Sequence, residues 1–525
     1  MRKTVKKLTA VGLTVTSVLG LVACGSSKGT TSQGTSENKE VTKPDTFTVM
    51  CDGTVVTETN GAEAFYKQLN EATGLDIKWT RPDHASYYDA VANAFNSDDT
   101  MPDVVLLSSD YYALYASNGF LWNMTDAWEH SETKNSGRLI STADNVLSAL
   151  MVNGEDGTKA MYGLSLYRGN GCCTYVKKAW LDKAGIDASK VKDVQMDFNT
   201  YYGYLKQMAQ TMGHYVISSP GFIHPEAPNT NYLPEFYQKA QYTFYKDTSG
   251  KYVDGFAQQE MKEALQRIQT AVNDGVIDKE SVNNSTANAR DKFYSTDPST
   301  ETGVFTYWAG TWANTLKTNL SNKGLDDELI AIKPIKELGA YVERIAPCWC
   351  ITSAAKNPEG IFKYFIDKML DGGDVQMLWT HGAKGTHWDD KAETVTVEKK
   401  EDQPKTYTEG QFHYLPGIEK PDQWQTKNHI DPILSIANFT NGYVGESLIP
   451  EVARENGEFF AENSQVAVPL PMTSELSNNI GDINTARTYV IAQVALGYMT
   501  VDEGMDYYNK TVGSLSNAVL KSLNK

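Results

Sequence analysis

The run Met101-Pro102-Asp103-Val104-Val105-Leu106-Leu107 sets four consecutive apolar residues directly behind a Pro-Asp pair. A strand with one wet face alternates apolar and polar residues. An unbroken apolar run rich in β-branched side chains instead needs cover on both faces, the situation of a strand inside a parallel sheet. Upstream, Phe47 to Met50 is a short apolar strand. Asn60 to Thr73 carries Ala62, Phe65, Tyr66 and Leu69 at helical spacing, with Gly74 as its stop. Leu75 to Thr80 reads as strand and Tyr87 to Phe95 as helix. Strand, helix, strand, helix, strand is the signature of an open α/β sheet.

Downstream, Tyr162 to Tyr175 is strand-like and interrupted by glycines, a candidate crossing between two bodies. Lys178 to Ala184 is a helix ending at Gly185, and Asn199 to Met212 has Tyr201, Leu205 and Met208 along one side. Phe256 to Val272 is the clearest helix, with Met261, Leu265, Ile268 and Val272 inward and Gly275 beyond its end. In Gly303 to Trp312 a strand from Val304 to Trp308 breaks at Ala309-Gly310-Thr311. Trp312, Leu316 and Leu320 then start a helix. Leu329 to Ile335 and Tyr341 to Thr352 look like strands. Asn357-Pro358-Glu359 opens a helix with proline at its first position, and Gly372-Gly373 closes it. Lys391 to Lys405 is an exposed hairpin or loop. From Asp431 onward the pattern is helical, notably Thr485 to Leu496 and Val501 to Tyr508. No fixed-period repeat is present.

At 525 residues the chain exceeds one compact core, so two or more lobes are expected. Apolar residues at 41% and charged residues at 22% describe a globular protein. A net charge of −17 argues against nucleic acid, whose phosphates would repel such a surface, and favours a neutral or cationic ligand. Arg2, Lys3, Lys6 and Lys7, followed by the apolar Leu8 to Ala23, make residues 1–23 a secretory signal peptide. Its ending, Leu21-Val22-Ala23-Cys24, looks like a lipobox in which Cys24 receives lipid. Residues 24–45 are nearly all polar and read as a flexible tether. The acyl chains would hold the protein at the outer face of a bacterial cytoplasmic membrane. The remaining cysteines, Cys51, Cys172, Cys173, Cys348 and Cys350, lack zinc spacing and read as buried free thiols, so no metal is expected.

Enzyme motifs are scarce: there is no Gly-x-Ser-x-Gly, His-Glu-x-x-His, Walker loop or Gly-x-Gly-x-x-Gly. No cofactor is implied. Paired carboxylates of a glycosidase have no short signature, so a surface-anchored glycoside hydrolase stands as the alternative. A lipoprotein binding peptide or metal is a third reading.

Taken together, lipobox, polar tether and α/β lobes with two crossings resemble the extracellular solute-binding lipoproteins of sugar-importing ABC transporters. Met101-Pro102-Asp103-Val104-Val105 with Asp110 and Gly119-Phe120-Leu121 is similar to that family's Pro-Asp strand and following helix. Met161-Tyr162-Gly163-Leu164 and Lys178-Ala179-Trp180-Leu181 resemble its first crossing and the helix after it. Ala271 to Asp278 resembles the end of its long helix, and Ala354 to Glu359 the entry after the second crossing. Leu378 to Trp388 looks like a segment of the longer oligosaccharide-binding subgroup. Some members of that subgroup hold a structural calcium on an Asp/Asn-rich loop; His214 to Gly221 has no such loop, so no ion is carried over.

The resemblance implies a type II periplasmic-binding-protein-like α/β fold whose two lobes close on a sugar. The first lobe is expected at 46–166 and 338–385, the second at 167–337 and 386–525. The protein would act as a monomer, without chemistry, delivering a neutral oligosaccharide to a permease. Trp312 and its neighbour Trp308, Trp388, and Asp110 are the ligand candidates that the resemblance supplies. Asp110 can equally be a helix N-cap. Trp349 near the second crossing, Tyr167, Arg168 and Asn170 on the first, Asp52 and His84 after early strands, and Trp424 complete the set. Rigid aromatic faces suit stacking on sugar rings, and for each tryptophan the opposing reading is core packing.

Overall fold

The computed structural model describes residues 40–53, 61–223, 231–325, 328–395, 404–415, 430–439, 443–471 and 473–525, with backbone alone at 109–110. The strands that carry the architecture are β1 (Thr46–Met50), β2 (Asp76–Thr80), β3 (Val104–Leu107), β4 (Gly163–Leu164), β5 (Cys172–Lys177), β6 (Val304–Trp308), β7 (Leu329–Ala331), β8 (Tyr341–Glu343), β9 (Cys348–Ile351) and β10 (Ser464–Val466). The helices used below are α1 (Ala62–Thr73), α2 (Tyr87–Ala94), α3 (Ser109–Ser117), α4 (Gln259–Asn273), α5 (Thr286–Phe293), α6 (Thr311–Asn322), α7 (Asp374–His381), α8 (Glu451–Glu462), α9 (Ser474–Ala495) and α10 (Val501–Leu523).

The first sheet has the order β2-β1-β3-β9-β4. β1 pairs in parallel with β2 and β3, while β9 runs antiparallel to both β3 and β4. All four residues of β3 are buried, as its apolar run requires. The second sheet, β6-β5-β7, is antiparallel at both pairings. Ile217 extends it by parallel bridges to Val304 and to Ile277. Counted from Ile277, the second sheet repeats the first: parallel, parallel, antiparallel, antiparallel. Two lobes of like construction result.

Each lobe has its own core. Phe47, Val49, Val104, Leu106, Trp349, Phe365 and Trp379 belong to the first. In the second, α4, α9 and α10 pack Met261, Leu265, Ile268, Val490 and Tyr508 on one face of the sheet, and Tyr175, Phe305, Tyr307 and Phe460 fill the other. Crowding fixes the glycine of β4: a Cβ on Gly163 would lie 2.7 Å from Cys350 Sγ and 2.9 Å from Cys348 Cβ. The C-terminal helices are tied down by Asp254. It accepts from Arg487 (2.8 Å), Tyr508 (2.6 Å) and Ser516 (2.6 Å), all buried.

Some elements depart from the sequence expectation. Tyr341 to Thr352 is two strands, β8 and β9, because Pro347 has no N–H to continue a ladder and the chain changes partner there. The long helix begins at Gln259, not Phe256, since the Asp254 side chain takes the Phe256 N–H (3.1 Å) into a separate turn. Residues 430–439 are not helical; they run beside the first crossing, with Tyr167 bridged to Ser435. Just past residue 385, where the first lobe is expected to end, the chain still packs against a helix of that lobe. Trp388 and Phe412 stack at 4.8 Å and pack with Met377 of α7, a helix whose Leu378 and Trp379 lie in the first core.

Candidate ligand cleft

Strand pairing alone places the cleft. β4 is antiparallel to β9 and therefore parallel to β3, so the first crossing leaves the first lobe at the carboxyl edge of β1 to β3. It enters β5 at Cys172, which pairs with Trp308 at the carboxyl end of β6. The second crossing leaves β7, which is parallel to β6, and enters β9 at Cys348, level with Leu107 at the carboxyl end of β3. Both crossings thus join carboxyl edge to carboxyl edge. In open α/β sheets that edge is where ligands sit.

On the first lobe this edge carries Asp52 after β1 and His84 after β2, with His84 Nδ1 2.5 Å from Asp52 Oδ2. Tyr88 of α2 and Tyr111 of α3 stack face to face, ring centres 4.1 Å apart and 6° from parallel. The Ser108 N–H donates to Tyr88 Oη at 2.9 Å, which fixes that ring at the end of β3. The Arg81 guanidinium lies 5.5 Å from the Tyr66 ring. Behind the wall, burial pushes the Cys51 thiol up to about 12, which favours the protonated thiol over the thiolate.

On the second lobe, Gly310 (φ +67°) turns the chain from β6 into α6 and brings Trp308 and Trp312 to the edge, both half-buried. Asn456 of α8 fixes the turn, its Oδ1 accepting from the Gly310 N–H (2.7 Å) and from Tyr175 Oη (2.9 Å). Trp312 meets Tyr307 edge to face at 4.9 Å. Arg290 of α5 donates to Tyr307 Oη (3.0 Å) and lies 5.1 Å over the Trp312 ring. The Arg344 guanidinium lies 4.6 Å over Trp308. Each tryptophan therefore has a cation on it, which stiffens the ring and orders a donor beside it.

Between the walls, Asn170 (φ +58°) donates to Ala309 O at 3.1 Å and accepts from the Gly171 N–H at 2.8 Å. That ties the first crossing to the turn before Trp312. Burial raises the Tyr167 hydroxyl above the usual tyrosine range, with Arg344 opposing and Asp431 adding to the rise. Burial also raises the Asp431 carboxyl, opposed by the N–H groups of Ile433 (2.8 Å) and Leu434 (3.3 Å).

The candidates read from sequence thus divide. Asp52 and His84 come together on one edge, Trp308 and Trp312 on the other, with Tyr167 and Asn170 between them. Asp110 stands in the first turn of α3, where Ser108 and not Asp110 holds the cap position. Trp349 is 1% exposed, edge-on to Phe365 and Trp379, and is core. Trp388 is 7% exposed, stacked on Phe412, its indole N–H donating to Gly382 O at 2.8 Å; packing, not a cleft, takes its ring. Arg168 is 2% exposed and committed to Glu343, so it is a hinge residue. Trp424 and Cys24 lie outside the described residues. Sequence reasoning missed Tyr88, Tyr111, Arg290, Arg344 and Asp431. The two tyrosines were findable as aromatics near the carboxyl ends of β2 and β3; the other three carry no local signal.

A further cavity of about 590 Å³ lies against the hinge, between Leu139–Thr142 and residues 454–462 of α8, with Arg168 and Asn170 in its wall. Among the described residues no cluster of three His, Cys, Asp or Glu side chains is placed to hold a metal ion. No described helix is long and apolar enough to cross a membrane.

No protein-family model matches the chain, and no curated protein matches it in sequence. Solved structures do match it along their whole length. An extracellular solute-binding protein family 1 member from Alicyclobacillus acidocaldarius is 14% identical, covering 92% of this chain and 100% of its own, at a TM-score of 0.57. An HMO-binding, ABC-transporter-associated solute-binding protein from Bifidobacterium longum infantis is 14% identical over 91% and 98%, at 0.57. The N-glycan transport solute-binding protein NgtS of Streptococcus pneumoniae is 18% identical over 91% and 98%, at 0.54. Two α/β lobes of repeated strand order, joined by crossings from carboxyl edge to carboxyl edge, have the fold of the extracellular solute-binding proteins.

Proposed function

We propose that the protein captures an oligosaccharide between its lobes and delivers it, chemically unchanged, to the permease of an ABC transporter. The supporting observation is the pairing of edges: both crossings turn the carboxyl ends of the parallel strands toward the hinge, and half-buried aromatic rings stand on both. Tyr88 and Tyr111 on one side, Trp308 and Trp312 on the other, offer flat apolar faces for the C–H faces of pyranose rings. Asp52, His84, Arg290 and Arg344 supply hydrogen bonds to hydroxyls, and an unmade bond there would cost about 1–3 kcal/mol, which is the basis of selection among sugars. The solved relatives named for HMO and N-glycan binding favour the same ligand class. Ligand that binds both edges favours the closed arrangement, which the permease would recognise. Lipid on Cys24 and the polar tether would keep the body, as a monomer, at the outer membrane face.

The test is a thermal-shift screen over neutral oligosaccharides, with the recovered sugar analysed by chromatography. Stabilisation with intact sugar is the expected result. Cleavage products would establish the glycosidase alternative instead, and no stabilisation by any glycan would remove the sugar reading.

A further inference from the structure

Arg168 joins four separate segments of chain near the crossings, those of Thr142, Glu343, Leu434 and Ser464. Its guanidinium bonds Glu343 of β8 through Nε, at 2.9 and 3.0 Å to the two carboxylate oxygens, and through Nη2. Nη1 donates to Thr142 Oγ1 in the first lobe (2.6 Å), and Nη2 donates to Ser464 Oγ (3.2 Å) at the end of β10 that pairs with Tyr341 of the second core, while Val466 at its other end packs on the first. Ser464 Oγ also donates to Glu343 at 3.3 Å. The Arg168 peptide N–H donates to Leu434 O, in the segment 430–439 beside the first crossing, at 2.6 Å. Glu343 is fully buried and Arg168 nearly so.

A guanidinium is planar and rigid, so its donors hold Thr142 and Ser464 at a fixed relation to each other. Rotation of one lobe against the other moves those two hydroxyls apart or together, and one of the bonds must break. Successive residues of an extended segment point to opposite faces. Arg168 and Glu343 therefore stand on one face of the crossings, and Tyr167 and Arg344, with Trp308, on the other. A cavity of about 590 Å³ with walls from both lobes is lined by Thr142, Arg168 and Asn170, so open space adjoins the guanidinium. Burying an ion pair is a poor way to gain stability, since an apolar pair of the same volume does as well. What the pair supplies is a definite geometry.

We propose, resting on the reading of the cleft as a capture site, that Arg168 and Glu343 are positioning residues that lock the angle between the lobes and so set the apparent affinity for ligand. The lock touches no sugar. It changes affinity through the fraction of molecules in the binding-competent arrangement, and it does so equally for every sugar.

Two measurements test this on the full chain carrying Cys24→Ser. Asp126→Cys in the first lobe and Asp502→Cys in the second, both highly exposed, take spin labels, while the five remaining native thiols are buried. The distance distribution between the labels is measured without ligand in the parent, in Thr142→Val, Glu343→Gln and Arg168→Lys. Affinity is measured by calorimetry for maltotetraose, xylotetraose, cellotetraose and mannotetraose. The expected result is a shifted distance distribution in Thr142→Val and Glu343→Gln. With it should come a change in Kd of about threefold or more that leaves the ranking of sugars unchanged. Thr142→Val keeps the buried ion pair, so it serves where the Arg168 variant fails to fold. An unchanged distribution in folded Thr142→Val and Glu343→Gln overturns the lock, as does a change in the ranking of sugars. If no sugar binds the parent, the capture reading fails, while the ligand-free distances still decide the lock.

Discussion

Trp312 and Trp349 are the same side chain on the same scaffold with opposite surroundings. Trp349 sits in the middle of β9 between two neighbouring strands, and its ring meets Phe365 and Trp379. Trp312 stands two residues past the positive-φ Gly310 at a sheet edge, with Arg290 on one face of its ring. Trp312→Ala should therefore weaken oligosaccharide binding by roughly tenfold, about 1–2 kcal/mol, with little change in Tm, as read by calorimetry and melting. Trp349→Ala should do the reverse, destabilising the fold by about 3–5 kcal/mol in denaturant melts through the cavity it leaves. The glycine break before Trp312 was visible in the sequence; that the ring faces a cleft was an expectation from the family resemblance alone. The fate of Trp349 was not, because an apolar strand reads alike whether it lies inside a sheet or at the rim. Trp388 shows the same limit: its surroundings depend on Phe412, which no local pattern links to it.

Among the elements, β3, α1, α2 and β6 were legible because their apolar residues repeat at the spacing of the element and a glycine or proline marks an end. The contacts that lock elements together were not, since they pair residues far apart in the chain. Asp254 and Arg487 are such a pair. Asp254→Ala would leave Arg487 buried without its carboxylate, and a loss of about 3–5 kcal/mol of stability is expected by urea unfolding. Two further buried groups carry opposite pH dependences. Burial lowers His381 from 6.5 to about 3, while its Nδ1 stays 2.8 Å from Tyr414 Oη. The unfolded chain then binds the extra proton, and stability falls as pH drops from 6.5 towards 3. Burial raises Glu235 from 4.5 to about 7, against hydrogen bonds from Thr174 and Tyr341. Here the folded chain binds the extra proton, so stability falls as pH rises from 4.5 towards 7. The two trends oppose each other between 4.5 and 6.5. Glu235→Gln should remove one of them, so its stability relative to the parent should climb between pH 4.5 and 7. The slope should approach about 1.4 kcal/mol per pH unit, measured by urea melts at a series of pH values.

For the molecule as a whole, the proposed capture of a ligand at both edges would link binding to stability. At a free ligand concentration of about 100 times Kd, a sugar that binds only the folded form should add about 2.7 kcal/mol. The resulting rise in Tm should vanish in a Trp308→Ala, Trp312→Ala double variant. The net charge of −17 was a guide to the surface of the whole chain, not to the cleft, where Arg290 and Arg344 lie on the two edge tryptophans. The two-lobed plan was legible from the run of elements and their resemblance to a family. The path of residues 430–439 was not, for the pattern from Asp431 onward reads as helical, while the chain there runs beside the first crossing.

The position of β9 carries one more consequence, for how the chain is made. This strand fills the middle of the first sheet, between β3 and β4, yet it begins only at Cys348, after β5, β6 and β7 of the other lobe. A chain growing from its amino end thus has no finished first lobe to fold until most of the second has followed it. Folding domain by domain in order of synthesis is closed to it, and its sheets depend on slow, distant pairings. A polypeptide of this connectivity has no finished sheet for most of its synthesis. If the chain is exported, as the proposed function requires, the strand order itself favours its passage unfolded.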